Sequence, residues 1–157
     1  MTDPNINTES VAPMGEVGSV EKEQSPAIPR SHECIFCDAL ISNRSRIVQE
    51  NDLAYATRDA FPVTPLHTLI IPKRHVIDYF GLTSDEVAAM HELILAQKTI
   101  IDAFDSTVQA YNIGANCGEI AGQSVWHCHI HMIPRRAGDA PHPKGGVRHV
   151  IPWKGRV

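Results

Sequence analysis

The stretch Trp126-His127-Cys128-His129-Ile130-His131-Met132-Ile133 constrains this chain more than any other, because its histidines alternate with apolar residues without a break. Side chains on a β-strand alternate between faces, so a strand here puts three imidazoles on one side. Trp126, Cys128, Ile130 and Met132 then face the other way, into a core. One histidine on a strand is ordinary packing, and nine in the chain make some clustering expected. Three at strict period two, over a wholly apolar opposite face, require a chemical reason, since half-buried polar groups need specific partners.

The remaining segments supply a frame for that strand. Ile35, Phe36, Ala39 and Leu40 recur at helical spacing and predict a short helix from Cys34 to about Ser42, carrying the pair Cys34-Ile35-Phe36-Cys37. Ile47–Gln49 and Leu53–Thr57 read as two strands around an Asn51-Asp52 turn. Leu66–Ile71 is an apolar β-branched run that Pro72 ends by withholding a backbone donor. Thr83 followed by Glu86 has the capping-box pattern, and a helix over 84–104 puts Val87, Met90, Ile94, Ile100, Ile101 and Phe104 mostly on one side. Thr107–Ile113 is a further strand, joined to the histidine strand by a glycine-containing loop over 114–124. The expected architecture is α+β: an antiparallel sheet of about five strands with one long helix and a short N-terminal helix. Residues 1–30, rich in Pro, Ser, Gly, Glu and Asn and without periodicity, predict a disordered leader, which leaves 31–157 as one domain.

Charge and composition narrow the function. The 43% hydrophobic content closes one core, but no apolar run approaches the roughly 20 residues of a membrane span. The N-terminus lacks the basic-then-apolar order of a secretory signal, so the expected location is cytoplasmic, with no membrane partner. Residues 135–157 hold six basic side chains and one acidic, within a chain of net charge -4. A nucleic-acid binder would be basic across a whole face, so the expected partner is small and anionic.

Alternating histidines can bind a metal, or supply a nucleophile with its acid or base, since imidazole is largely neutral at pH 7. The turn Gly122-Gln123-Ser124, just before the strand, offers an amide, a hydroxyl and backbone N–H groups to phosphoryl oxygens, which favours phosphorus chemistry. Cys34 and Cys37 could form one side of a tetrahedral zinc site, but no second CxxC follows; two half-buried helix residues is the equal alternative.

The string His127-Cys128-His129-Ile130-His131-Met132-Ile133 resembles the His-φ-His-φ-His-φ-φ signature of the histidine-triad (HIT) family, φ being apolar. Asn112–Asn116 and Gly118–Ser124 resemble the loop before the triad in bacterial members. His67-Thr68-Leu69-Ile70-Ile71-Pro72-Lys73-Arg74-His75 and Gly145–Pro152 are similar to members that hydrolyse dinucleoside polyphosphates. The resemblance implies that His129 is a nucleophile that becomes nucleotidylated and that His131 contacts phosphate and leaving-group oxygens. It further implies that Gln123 and Ser124 orient phosphates, that Asn112 holds the ribose-phosphate region and that Asp59 accepts from ribose hydroxyls. Ile35 and Phe36 match positions that meet the base, although Ile35 reads better as core, and His67 is expected in the site's hydrogen-bond network. A structural zinc would be held by Cys34, Cys37, His75 and His127. The implied substrate is a dinucleoside polyphosphate or related adenine nucleotide, and the implied assembly is a homodimer. Arg135, Arg136, Lys144 and Arg148 could meet the extra phosphates of a long substrate or simply be solvated. A nucleotide-binding regulator with little turnover would share every binding residue; the intact triad favours the enzyme.

Overall fold

The computed structural model describes residues 34–152. Asn51 makes the first turn: its side-chain oxygen accepts from the backbone N–H of Ala54 at 2.9 Å, folding β1 (Ile47–Glu50) back on β2 (Ala54–Arg58). β2 pairs in turn with β3 (Thr68–Pro72), from Ala54 opposite Pro72 to Arg58 opposite Thr68. Two more strands, β4 (Ala110–Gly114) and β5 (Ile130–Arg135), complete an antiparallel sheet of order β1-β2-β3-β5-β4. β5, the triad strand, is thus interior, and β4 forms an edge.

Period-two alternation sorts the side chains onto two faces. Ala54, Ala56, Ile70, Ile130 and Met132 meet Ala89, Met90, Leu93, Ile94 and Ile101 of the long helix, which spans Ser84–Phe104. Met90, Ile101, Ile70 and Met132 are completely buried there, each contributing about 1.5–3 kcal/mol by leaving water. Tyr55, Leu69 and Ile71 point to the opposite face and pack against Cys34, Phe36 and Cys37 of the short helix α1 (Ile35–Ile41). The long helix, α2, therefore backs the sheet, and α1 shares the other face with the triad.

α2 starts on the capping box read from the sequence. Thr83 Oγ1 accepts from Glu86 N at 3.2 Å, and Glu86 Oε2 accepts from Thr83 N at 2.8 Å. Arg74, two residues past β3, adds a two-pronged pair to the same carboxylate at 2.8 and 2.7 Å.

Several elements depart from expectation for local reasons. Leu66 has φ +67°, a left-handed conformation outside any strand, and β3 begins at Thr68. β5 begins at Ile130 and not at Trp126: its ladder with β3 ends at Ile70 opposite Ile130, close to Pro72, which has no N–H to give. Cys128 N donates instead to Val76 O at 2.7 Å, and Trp126 is half-buried, outside both core clusters. β4 starts only at Ala110, after a turn in which Asp105 accepts from Thr107 N. Ile100 and Phe104 lie on the outer side of α2, Phe104 at 79% exposure, while Leu93 and Gln97 face inward. Ile35 is 61% exposed and is not core. The leader expected over 1–30 lies outside the described residues. Among the described residues no helix is long and apolar enough to cross a membrane.

Candidate active site and metal centre

His127 and His129 sit on the approach to β5 and only His131 lies on the ladder itself, yet the three rings line one side. Phe36 from α1 spans the gap, its ring 5.9 Å from that of His127 and 5.2 Å from that of His129, both edge-on. His129 and His131 are 5.0 Å apart by ring centroids. The His129 ring is held by its own chain: Nδ1 lies 2.8 Å from the carbonyl of His127, which can only accept, so Nδ1 carries the proton. That leaves Nε2 with the lone pair, the nitrogen suited to nucleophilic attack.

His131 is joined to two groups from the sheet's other end. Its Nδ1 is 3.0 Å from His67 Nε2, and His67 Nδ1 is 3.4 Å from Asp59 Oδ2. With the shared proton on His131 Nδ1 and that of His67 turned to Asp59, His131 Nε2 is an acceptor; with it on His67 Nε2, His131 Nε2 is a donor. Burial lowers the pKa of His67, against the pull of Asp59, and lowers that of His131 to about 4. Both shifts favour the uncharged rings. Asp59, His67 and His131 are also close enough to suggest a cation site. The 5.2 Å between the two ring centroids argues against it: at a 3.0 Å nitrogen separation the facing lone pairs point at each other, the geometry of a hydrogen bond, not toward a common ion.

A second cluster does converge. Cys34 Sγ lies 3.3 Å from His127 Nδ1, while Cys37 Sγ lies 3.3 Å from His75 Nδ1 and 3.5 Å from His127 Nδ1. A tetrahedral ion about 2.3 Å from sulfur and about 2.0 Å from nitrogen sets that separation near ~3.5 Å, so these four donors fit one. His127 Nε2 donates to Pro72 O at 2.9 Å, which frees Nδ1 to face the sulfurs. Burial, with Cys34 beside it, pushes the Cys37 thiol up to about 11, so a thiolate here needs a cation close by. His75 Nε2 is buried with no hydrogen-bond partner among the described residues. The cluster has the donors to hold a metal ion, and those donors do not include the open nitrogens of His129 and His131.

Comparison with known proteins gives the frame for this arrangement. Residues 42–138 match the HIT domain. This chain belongs to the HIT family. It is 38% identical over 103 residues to an uncharacterized HIT-like protein of Mycoplasma genitalium, covering 65% of this chain and 72% of that one. A crystal structure of a HIT family protein from Bacillus anthracis superposes with a TM-score of 0.63 at 36% identity, over 68% of this chain and 75% of that chain. A Zn-bound histidine triad family protein from Mycobacterium smegmatis gives a TM-score of 0.63 at 28% identity, over 76% and 91% of the two chains. None of these three names specifies a nucleotide substrate, so the likeness to dinucleoside-polyphosphate hydrolases remains a proposal.

The other expected site residues of this HIT protein are placed unevenly. Ser124 is exposed on the segment running into the triad. Gln123 is buried and its amide is committed to that segment, donating to Ile77 O at 2.6 Å and Val125 O at 3.1 Å and accepting from Gly118 N at 2.8 Å. Neither amide N–H remains for a phosphate. Asn112 lies opposite Ile133, two pairs along from Gly114 and His131, hence on the triad face. Its side-chain oxygen accepts from Arg135. Two arginines of the cationic tail are paired: Arg135 forks onto Asp139 at 2.8 and 2.7 Å, and Arg136 reaches Asp105 at 2.6 Å. Sequence reading expected His67 in the site's hydrogen-bond network without its partners Asp59 and His131, and it missed the acidic partners of Arg135 and Arg136. Asp105 is 31 residues from Arg136 and no local pattern marks the pair.

Proposed function

We propose that this protein is a nucleotide hydrolase or transferase in which His129 Nε2 attacks phosphorus and is transiently nucleotidylated. The observation that carries the reading is the bond from His129 Nδ1–H to the His127 carbonyl, which fixes a buried ring with Nε2 as the nitrogen open for attack. As the Nε2–phosphorus bond forms, the bond from phosphorus to the leaving-group oxygen breaks, and a polyphosphate departs as an anion hydrogen-bonded by His131 Nε2–H. Water then attacks the phosphorus as the Nε2–phosphorus bond breaks, the electron pair of that bond returns to His129 Nε2, the water's proton is lost to solvent, and the nucleoside monophosphate leaves. Donors fixed in advance around the spreading charge lower both barriers.

In this reading Ser124 meets the phosphates, Gln123 shapes the segment that presents it, and Asn112 borders the ribose-phosphate region. Asp59 serves the ribose hydroxyls beside His67, and Phe36 meets the base. The substrate class is dinucleoside polyphosphates or related adenine nucleotides, cleaved at a phosphoanhydride or phosphoramidate bond. Cys34, Cys37, His75 and His127 hold a structural zinc, a reading supported by their spacing and by the Zn-bound relative. A homodimer is supported by β4, whose outer edge has no partner strand in the sheet and whose Ile113 is exposed. The test is turnover of a panel of diadenosine polyphosphates and adenosine phosphoramidates, with mass spectrometry of the quenched protein for an adduct on His129. His129→Ala should keep its fold and lose at least ~1000-fold in rate. Turnover near the unsubstituted rate in that variant would end the reading.

A further inference from the structure

Along β5 the triad face does not stop at His131; Ile133 and Arg135 continue it, with Asn112 across from Ile133. Four residues of strand place Arg135 about 13 Å beyond His131, the reach of a short polyphosphate chain. There the chain after β5 returns over the same face. Gly146 comes so close to Asn112 that a Cβ on it would lie 3.2 Å from the Asn112 amide nitrogen, and its φ of +38° suits glycine. The returning segment walls a groove of about 430 Å³ lined by Arg135, Pro141, His142, Pro143, His149 and Pro152 among others. This volume lies within the range of small-molecule sites.

The lining identifies which part of a ligand it fits. Two imidazoles offer π faces on which a planar heterocycle can stack, and three proline rings add rigid apolar wall around them. His149 is oriented by a 3.0 Å bond between Nε2 and Lys144 O. Arg135, at the inner end, has its charge met by Asp139 on two nitrogens and a third N–H given to Asn112. Of its five N–H groups two remain, enough to hydrogen-bond a sugar but without the free charge that would draw phosphate.

We propose that this groove is a subsite for the nucleoside at the far end of the leaving group, so that a substrate bearing a nucleoside at each end of its phosphate chain is bound at both. The proposal rests on the nucleotidyl-transfer reading above. It assigns the segment after β5 to the distal base and not to distal phosphates.

The experiment compares steady-state KM for diadenosine tetraphosphate and adenosine 5′-tetraphosphate, which carry the same number of phosphates and differ by one nucleoside. In the double variant His142→Ala/His149→Ala the ratio of the two KM values should rise at least ~10-fold, through the diadenosine compound, in line with loss of base stacking. His142→Ala alone, which leaves the His149 bond to Lys144 intact, should move the ratio in the same direction by less. A common factor on both substrates, or no change in either, would overturn the subsite while leaving the triad chemistry standing. Turnover of neither by the unsubstituted protein would sink the nucleotidyl-transfer reading, and the subsite with it.

Discussion

One carbonyl, that of His127, decides which nitrogen of His129 is left open, and one amide, that of Gln123, decides where Ser124 stands. Gln123→Ala would leave Gly118 N, Ile77 O and part of Val125 O without this partner in a half-buried setting, at about 1 kcal/mol for such a group. The expected outcome is a lower melting temperature and a raised KM, with the His129 adduct still detectable by mass spectrometry. His131 gives a pH signature. Its folded pKa, about 4 because of burial and of His129 and His67 beside it, lies below the ~6.5 of an exposed imidazole. The unfolded chain takes up the proton first as pH falls, so the stability is present above about 6.5 and is lost as pH drops through about 4. Thermal melts from pH 7 to 4 should show this as a decline of about 1–3 kcal/mol that is smaller in His131→Asn. The triad was legible in the sequence because alternation is a local pattern. The commitment of Gln123 was not, because two of its partners, Ile77 and Gly118, approach only once the loops are in place.

Elements were readable where their signals lie within a few residues. Thr83 and Glu86 mark the start of α2, and the structure places the helix at Ser84–Phe104. The inner face of that helix was only half legible, since Ile100 and Phe104 look like core in a helical pattern and lie instead on the outer side. The start of β5 was misjudged for a cause outside the strand, namely Pro72 on its neighbour. Arg74 was also hidden in sequence: its bond to Glu86 holds that carboxyl down at about 2, with the Thr83 backbone adding to the effect. Against an ordinary value of 4.5, the resulting stability is fully present above about pH 4.5 and is lost as pH falls through about 2. Glu86→Gln keeps the shape of the box but loses the ion pair. With Arg74 half exposed, a destabilisation of about 1–2 kcal/mol is expected, together with a flatter acid limb in chemical denaturation followed from pH 5 to 2. A variant as acid-sensitive as the unsubstituted protein would show that the pair adds nothing beyond the cap.

For the molecule as a whole, the Cys34–Cys37–His75–His127 cluster is where three separate stretches of chain meet: α1, the segment after β3, and the entry to β5. Two of these stretches also carry part of the candidate site, since Phe36 lies between the two cysteines and His129 is two residues past His127. Without an ion the cluster is a poor core, for it buries two thiols against two imidazoles. Binding one zinc per chain converts those buried polar groups into ligands, and the binding free energy becomes folding free energy. Protein purified without chelator should therefore contain about one zinc per chain, and Cys34→Ser or Cys37→Ser should release it and lower the melting temperature. The imidazole nitrogens of His129 and His131 are not among the four donors. Activity assayed well below the melting temperature should consequently fall far less in the cysteine variants than the ~1000-fold expected for His129→Ala. A cysteine variant that lost its metal and was as inactive as His129→Ala while still folded would place the ion in the chemistry and not in the frame.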